Sequence, residues 1–159
     1  MQLRRAEPHD APAIAEIWNR EIREGVSTFN SEEKPLAEIR TLIAARSGRF
    51  FVAELDGQVV GFATYSQFRG GVGYAHTMEH TIHLSDAARG KGAGRALMQR
   101  VEAAAADNGV HALIAGIAGE NTDGIAFHTA LGYAHVARLP EVGRKFDRWM
   151  DLVLMQKIL

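Results

Sequence analysis

A short segment, residues 88–101 (ARGKGAGRALMQRV), places cations and glycines directly before an apolar-periodic stretch. Arg89, Lys91 and Arg95 supply the charge, and Gly90, Gly92 and Gly94 alternate with them. The first N–H groups of a helix lack intrahelical partners, and glycines let a ligand approach the main chain. The segment therefore predicts an anion site at a helix start, suited to a phosphate or diphosphate.

Two common nucleotide-binding motifs do not fit this segment. A P-loop needs Lys and then Ser or Thr after the last glycine, whereas Gly94 is followed by Arg95 and Ala96. The dinucleotide fingerprint needs Gly or Ala three residues past its second glycine, and those positions hold Arg95 or Leu97. Both motifs are therefore excluded.

A carboxylate precedes the segment, in a stretch that alternates like a strand. Alternation over residues 77–85 puts Glu79 on one face with Thr77, Thr81 and His83, and puts Met78, Ile82 and Leu84 on the other. Glu79 is a candidate general base. The alternative is a glutamate on a solvated or salt-bridged strand face.

Three histidines in the same stretch raise the question of a metal. His76, His80 and His83 have a spacing that could bind zinc on a helix, but on a strand His83 lies opposite His80. No cysteine occurs in the chain, and no second carboxylate completes a ligand set. We predict no metal site.

Composition restricts the class of protein. A chain of 159 residues predicts one domain spanning residues 1–159. Lys and Arg (18) nearly balance Asp and Glu (19), so charge gives no case for a nucleic acid or an acidic membrane as partner. Apolar runs are too short to span a bilayer, and MQLRRAEPHD lacks the apolar stretch of a secretory signal. We expect a cytoplasmic enzyme.

Periodicity predicts the elements that position these residues. The order is one strand, two helices, three strands, a helix, a strand, a helix and two strands, which favours an α/β (α+β) sandwich around one mixed sheet. The clearest local pattern is Asp56-Gly57 between two β-rich runs, which is typical of a hairpin. The predicted ranges are strand 2–7, helices ending near 24 and 48, a glycine-rich connection 67–76, a helix after 94 ending at 108–109, a helix 122–131 capped by Asn121, and strands near 133–139 and 149–156.

The pattern Arg-x-x-Gly-x-Gly at Arg89, Gly92 and Gly94, between a strand and a helix, resembles the acetyl-CoA pyrophosphate loop of the GNAT N-acetyltransferase superfamily. NTDGIAFHTALGY is similar to that superfamily's closing helix and strand. TMEHTIHLSDAARGKGAGRAL and EVGRKFDRWMDLVLMQ resemble the phosphinothricin and methionine sulfoximine (methionine sulfone) N-acetyltransferases. The resemblance implies a sheet of about seven strands with about four helices.

The resemblance also implies an activity: transfer of an acetyl group from acetyl-CoA to the α-amine of a small amino acid or analogue, by direct attack. Glu79 would act as base through water, and His128 would be a general acid or a site organiser; a partly buried helix histidine is the alternative for His128. A homodimer is implied as well. The implied cofactor-binding residues are Ile82, His83, Leu84, Arg89, Gly90, Lys91, Gly92, Ala93, Gly94, Arg95 and Asn121, and the substrate-binding residues are Arg69, Gly70, Gly71, Glu79, His80 and Thr81.

Several alternatives stay open at this level. Acetylation of a protein or peptide, or CoA binding without turnover, would also use the glycine-rich loop. Phe29 could line the acceptor pocket or belong to the core. Arg144, Lys145 and Arg148 form a cationic cluster that is solvated or contributes one member to the pocket, and the physiological acceptor is not determined.

Overall fold

The computed structural model describes all 159 residues and contains seven strands and four helices, as predicted. The strands are β1 Gln2–Arg5, β2 Phe50–Leu55, β3 Gln58–Gln67, β4 Thr77–Leu84, β5 Ala112–Ala118, β6 Ala134–Lys145 and β7 Arg148–Ile158. The helices are α1 Ala11–Glu24, α2 Leu36–Ala45, α3 Ala93–Asp107 and α4 Thr122–Ala130. No helix is long and apolar enough to cross a membrane.

All seven strands form one mixed sheet in the order β1-β2-β3-β4-β5-β7-β6. Every neighbouring pair is antiparallel except β4 and β5, which are parallel because α3 carries the chain back between them. That parallel pairing covers only Thr77–Glu79 against Ala112–Ile114. Beyond it the two strands separate in the middle of the sheet.

Helices cover both faces of the sheet, and alternation along the strands supplies two apolar clusters. Leu97, Met98 and Val101 of α3 pack with the larger cluster on one face. On the other face, Ile14 and Trp18 of α1 pack with the smaller cluster. The strand residues divide in the same way: Phe51, Ala53 and Ala63 face α3, while Phe50, Val52 and Phe62 face α1 and α2.

The last two strands are longer than the pattern predicted. The predicted strand near 133–139 continues to Lys145, and its partner begins at Arg148. Residues 140–145 do not alternate in hydrophobicity, since β6 is an edge strand where both Pro140 and polar side chains are tolerated. The pairing is also irregular between Leu139 and Gly143. The result is a long hairpin that turns at Phe146 and Asp147.

Candidate active site

A cleft of about 750 Å³ opens where β4 and β5 separate. β4 forms one side and Ala115 to Ala118 of β5 form the other. Residues from α1, from the segment after it, and from α4 complete the lining. The cleft therefore reaches both faces of the sheet, and it brings together elements that are far apart in the chain.

Main-chain groups of β4 point into this cleft. The Phe68 N–H donates to the Thr77 carbonyl and the Ser85 N–H donates to the Val60 carbonyl, so odd-numbered residues of β4 bond to β3. The N–H and C=O groups of His80, Ile82 and Leu84 consequently face the side from which β5 has departed. Of the three residues predicted to pair with an extended ligand, Ile82 and Leu84 present main-chain groups to the cleft, whereas those of His83 face β3.

The start of α3 carries a cluster of unpaired main-chain donors. The helix begins at Ala93, after Gly90 and Gly92, both of which have positive φ (71° and 75°). None of the N–H groups of Gly90 and of residues 92–95 has a main-chain acceptor; the first loop-to-helix bond is from Ala96 N to Gly92 O, 3.0 Å. Together with the exposed side chains of Arg89, Lys91 and Arg95, these donors give the arrangement expected of an anion site, and their role in binding an anion stays a prediction.

Gly94 lets three elements meet beside these donors. A Cβ at Gly94 would lie 3.1 Å from the Phe127 ring of α4 and 3.2 Å from Leu84 of β4. Asn121 caps α4, since its Oδ1 accepts from the Gly124 N–H at 3.0 Å. Leu84, Asn121 and Phe127 all line the cleft. The helix start, the end of β4 and the start of α4 are thus held at one end of the cleft.

Glu79 is a carboxylate without a partner in this cleft. It is half-buried and makes no hydrogen bond or ion pair within the chain, and burial raises its pKa above the ordinary value. Its Oε2 rests against Gly116 of β5, where a Cβ would lie only 2.7 Å away. Gly116 thus makes room for a carboxylate at the point where the two strands separate. Such a group can accept a proton from a ligand.

Alternation on β4 separates Glu79 from His80. The His83 ring lies near Phe62 and Trp18, at 5.6 and 6.2 Å between centroids, on the α1 face of the sheet. Glu79 and Thr81 share that face by alternation. The His80 ring instead stacks on His128 of α4, 5.1 Å away. The predicted division of β4 into two faces is confirmed, and the two candidate catalytic residues approach the cleft from opposite faces.

His80 and His128 form a buried pair whose tautomers follow from their partners. His128 Nδ1 lies 2.8 Å from the Gly124 carbonyl, which can only accept, so Nδ1 carries the proton. His128 Nε2 then accepts from His80 Nε2–H at 2.8 Å. His80 Nδ1 is buried without a partner. Burial lowers the pKa of both histidines, so the pair is neutral at physiological pH.

The predicted substrate loop lies away from the cleft. Arg69, Gly70 and Gly71 are exposed, and none of them lines the cleft of this chain. The Arg69 guanidinium lies 5.5 Å from the Tyr74 ring centroid, and Gln67 Nε2 donates to the Arg69 and Gly71 carbonyls. The structure does not bring them to Glu79, His80 and Thr81, and their role in binding an acceptor stays a prediction.

The cationic cluster near the C-terminus divides into three environments. Arg144 stacks on the exposed Trp149, 4.6 Å from its ring centroid. Arg148 pairs with Glu120. Lys145 is instead 4 % exposed and lies beneath the segment after α1, although it does not line the cleft.

Apart from β4, Arg89, Asn121 and His128, most of the residues that line the cleft were not identified from the sequence. Trp18 and Glu21 of α1, residues 26–28 and 30, and Phe127 also line it, while Phe29 was considered as pocket or core and lines it too. The signal in α1 was present but masked, because Trp18 also fits the apolar stripe of an ordinary amphipathic helix. No group of three or more side chains able to hold a metal ion is found in the structure.

Comparison with known proteins agrees with the family resemblance found in the sequence. Residues 12–133 match the acetyltransferase (GNAT) family. The chain is 35 % identical to an L-methionine sulfoximine/L-methionine sulfone acetyltransferase of Salmonella typhimurium over 98 % of its own length and 93 % of that protein's. It is 37 % identical to a solved structure of a ribosomal-protein-alanine N-acetyltransferase from Brucella melitensis, with a TM-score of 0.96 and full coverage of both chains.

A third similar protein carries the acetyl donor. A phosphinothricin acetyltransferase from Sinorhizobium meliloti, solved in complex with acetyl-CoA, has 33 % identity and a TM-score of 0.94, over 99 % of this chain and 88 % of that one. The unpaired main-chain donors at the start of α3 and along β4 fit the diphosphate and the amide-bearing arm of such a donor. The chain therefore belongs to the acetyltransferase (GNAT) family and is an acetyl-CoA-dependent N-acyltransferase.

Proposed function

We propose that this enzyme acetylates the α-amine of a small amino acid or amino-acid analogue, of the methionine sulfoximine, methionine sulfone or phosphinothricin type. The observation that carries the proposal is the unpaired Glu79 carboxylate at the fork between β4 and β5. The names of the Salmonella typhimurium and Sinorhizobium meliloti relatives support this acceptor class.

The donor would be held mainly by main-chain groups. Gly90 and residues 92–95 would donate to its diphosphate, with Arg89, Lys91 and Arg95 adding charge. Ile82 and Leu84 would pair with its extended arm through their cleft-facing N–H and C=O groups, and Asn121 would border it. Acetyl-CoA supplies the acetyl group as a thioester. The fixed N–H groups need no reorganisation to receive the anion.

Glu79 would act as the general base. An α-amine is mostly protonated at neutral pH, so it must lose a proton before it can attack the thioester. Glu79 would take that proton through a water molecule. Burial raises the pKa of Glu79, which makes the carboxylate a stronger base than an ordinary glutamate. The neutral amine then attacks the thioester carbonyl directly, since the chain has no cysteine to form an acyl intermediate. The C–N bond forms, the C–S bond breaks, and the departing coenzyme A thiolate takes up the proton that the attacking nitrogen sheds.

His128 would organise the site. Its Nδ1–H donates to Gly124 and its Nε2 accepts from His80, so neither nitrogen holds a proton that is free to reach a leaving thiolate. The bond to His80 instead ties α4 to β4 across the cleft, while the bond to Gly124 fixes the ring within α4. Asn121 and Phe127, which line the donor end, belong to or cap the same helix.

The chain would form a homodimer through the β6–β7 hairpin. Val136, Val142, Phe146 and Trp149 are each at least half exposed along this hairpin at the edge of the sheet. Large apolar side chains grouped in this way mark an association surface.

A panel of acceptors tests the proposed function. Purified enzyme with acetyl-CoA should release thiol with methionine sulfone, methionine sulfoximine and phosphinothricin, and N-acetyl products should appear by mass spectrometry. Peptides with an N-terminal alanine are the comparison, because the Brucella melitensis protein is named for that activity. Turnover of the peptides alone would reject the amino-acid acceptor.

Replacing Glu79 tests the base. Glu79→Gln should lower kcat by roughly 10²-fold or more, since the acceptor amine loses its proton acceptor. In the wild type kcat/KM should fall as the pH drops through the raised pKa of Glu79, and this acidic limb should be absent in the variant. The KM for acetyl-CoA serves as the control and should stay within twofold. Near-normal turnover would remove Glu79 from the mechanism.

Replacing His128 separates an organiser from a general acid. His128→Phe keeps a ring of similar size but leaves the Gly124 carbonyl and the His80 N–H unpaired, so the free energy of unfolding should fall by about 1–3 kcal/mol. As an organiser, it should lower kcat at all pH values without moving either limb of the pH–rate profile. Loss of the basic limb alone, measured in initial rates, would instead identify a general acid.

The association surface is tested by a charge placed on it. Trp149→Glu should convert a dimer of the 17.4 kDa chain into a monomer by light scattering, because the exposed indole would be replaced by a carboxylate inside an apolar contact. Arg95 lies at the start of α3, in the proposed donor site. Arg95→Glu is the matched surface control and should stay dimeric. A monomeric wild type would contradict the dimer.

A further inference from the structure

A buried ammonium group lies beneath the segment that closes one side of the cleft. Lys145 is the last residue of β6, and its side chain is 4 % exposed. Its Nζ donates to the Gly25 carbonyl at 2.6 Å and to the Thr28 carbonyl at 2.9 Å, with a longer bond of 3.4 Å to the Glu21 carbonyl. No carboxylate forms an ion pair with it. All three donors of the ammonium group are thus used on main-chain acceptors.

The segment that receives these bonds has no regular structure of its own. Residues 25–30 connect the end of α1 to the approach to α2, and residues 26–30 line the cleft. No main-chain hydrogen bond joins two residues of this segment, so its carbonyl groups need donors from elsewhere in the fold. The position of its side chains therefore depends on bonds supplied from elsewhere in the fold.

Two further contacts hold the same segment. Glu21 Oε1 accepts from the Ser27 N–H at 3.1 Å and folds over Gly25, where a Cβ would lie 1.7 Å from that oxygen. The Phe29 ring lies on Gly143, where a Cβ would lie 2.5 Å from the ring. Gly143 and Lys145 are both buried, two residues apart, and so share one face of β6. One face of the hairpin thus contacts the segment at both its ends.

We infer that Lys145 is a positioning residue for the acceptor site: its ammonium group, together with Gly143, fixes residues 25–30 so that Phe29 forms an apolar side of the acceptor pocket. The inference rests on the proposed amino-acid acceptor, and it assigns to the acceptor an uncharged side chain with an apolar stem, as in methionine sulfone. Lys145 does not line the cleft and would act only through this segment.

Burying a cation costs desolvation free energy, so a lysine would be a poor choice if its only role were to stabilise the loop. Burial lowers the pKa of Lys145, while the nearby Glu21 carboxylate favours its charged form. An ammonium group can nevertheless satisfy three carbonyls that converge from different directions, which no apolar side chain can do. Lys145 fixes the shape of residues 25–30 beside Glu79 and His83. A displacement of about 1 Å at this position would impair catalysis.

Steady-state kinetics tests this inference with Lys145→Met, which keeps the length of the side chain and removes the donors. KM for methionine sulfone should rise by about tenfold or more, since two short charge-assisted hydrogen bonds are lost. KM for acetyl-CoA should stay within twofold, because the hydrogen bonds of Lys145 go to residues 21, 25 and 28 and none goes to the start of α3 or to Asn121. Lys145→Arg should restore part of the lost affinity. Amide hydrogen exchange in residues 25–30 should accelerate in Lys145→Met, a result that does not depend on activity.

Two other variants make the test selective. Lys157→Met removes an ammonium group from the far end of the same hairpin, where it donates to the Leu131 carbonyl and to Glu102, and it should leave both KM values unchanged. Gly143→Ala adds a methyl group against Phe29 and should raise KM for methionine sulfone selectively, even if Lys145→Met fails to fold.

The outcomes separate this inference from the proposed function. If wild-type enzyme does not acetylate methionine sulfone, the proposed acceptor class is wrong, whatever the variants do. If it does, and Lys145→Met and Gly143→Ala leave KM for methionine sulfone unchanged, or raise both KM values equally, the positioning role is wrong and the function stands.

Discussion

The structure depends on one interruption in its sheet. β4 and β5 pair over three residues and then separate, although both continue as strands on their outer sides, with β3 and β7. Main-chain groups left unpaired in a protein interior are costly, so the inner edges require a ligand with its own donors and acceptors. An extended amide-bearing molecule such as the arm of acetyl-CoA meets that requirement. The start of α3, with its five free N–H groups, lies at the open end of the same gap and can receive the phosphates.

The charges of the cleft follow from the same geometry. Glu79 lies at the fork, where Gly116 leaves space for its carboxylate but no partner for it, and burial raises its pKa. The buried histidines around it are kept neutral, so they add structure without adding charge. The Glu21 carboxylate also lines the cleft but accepts from the Ser27 N–H, whereas Glu79 has no partner. An unpaired carboxylate is suited to removing a proton from an ammonium ion. The cations at the phosphate end are on exposed side chains.

Sequence patterns predicted the strongly local features and missed those that depend on distant contacts. Neighbouring residues specify the order of elements, the hairpin at Asp56-Gly57 and the loop at Gly90–Gly94. The structure contains all three features. The faces of β4 followed from alternation alone. The full length of β6 did not, because an edge strand carries no clear pattern. Nor did the bond between His80 and His128, since 48 positions separate them and helical spacing made His128 resemble an ordinary partly buried residue.

The two ends of the cleft present different kinds of chemical group to a ligand, and this difference affects specificity. At the donor end, the groups available for binding are mostly main-chain N–H and C=O groups, so under the proposed binding mode many sequences could hold the same donor provided that the glycines remain. At the acceptor end, side chains from α1, the segment after it and the β6–β7 hairpin surround Glu79. Here a single replacement changes the pocket. Lys145 and Gly143 belong to a hairpin that is also exposed on its other face. If the chain forms the proposed dimer through that hairpin, a change in the dimer contact would alter acceptor choice and leave the catalytic groups unchanged.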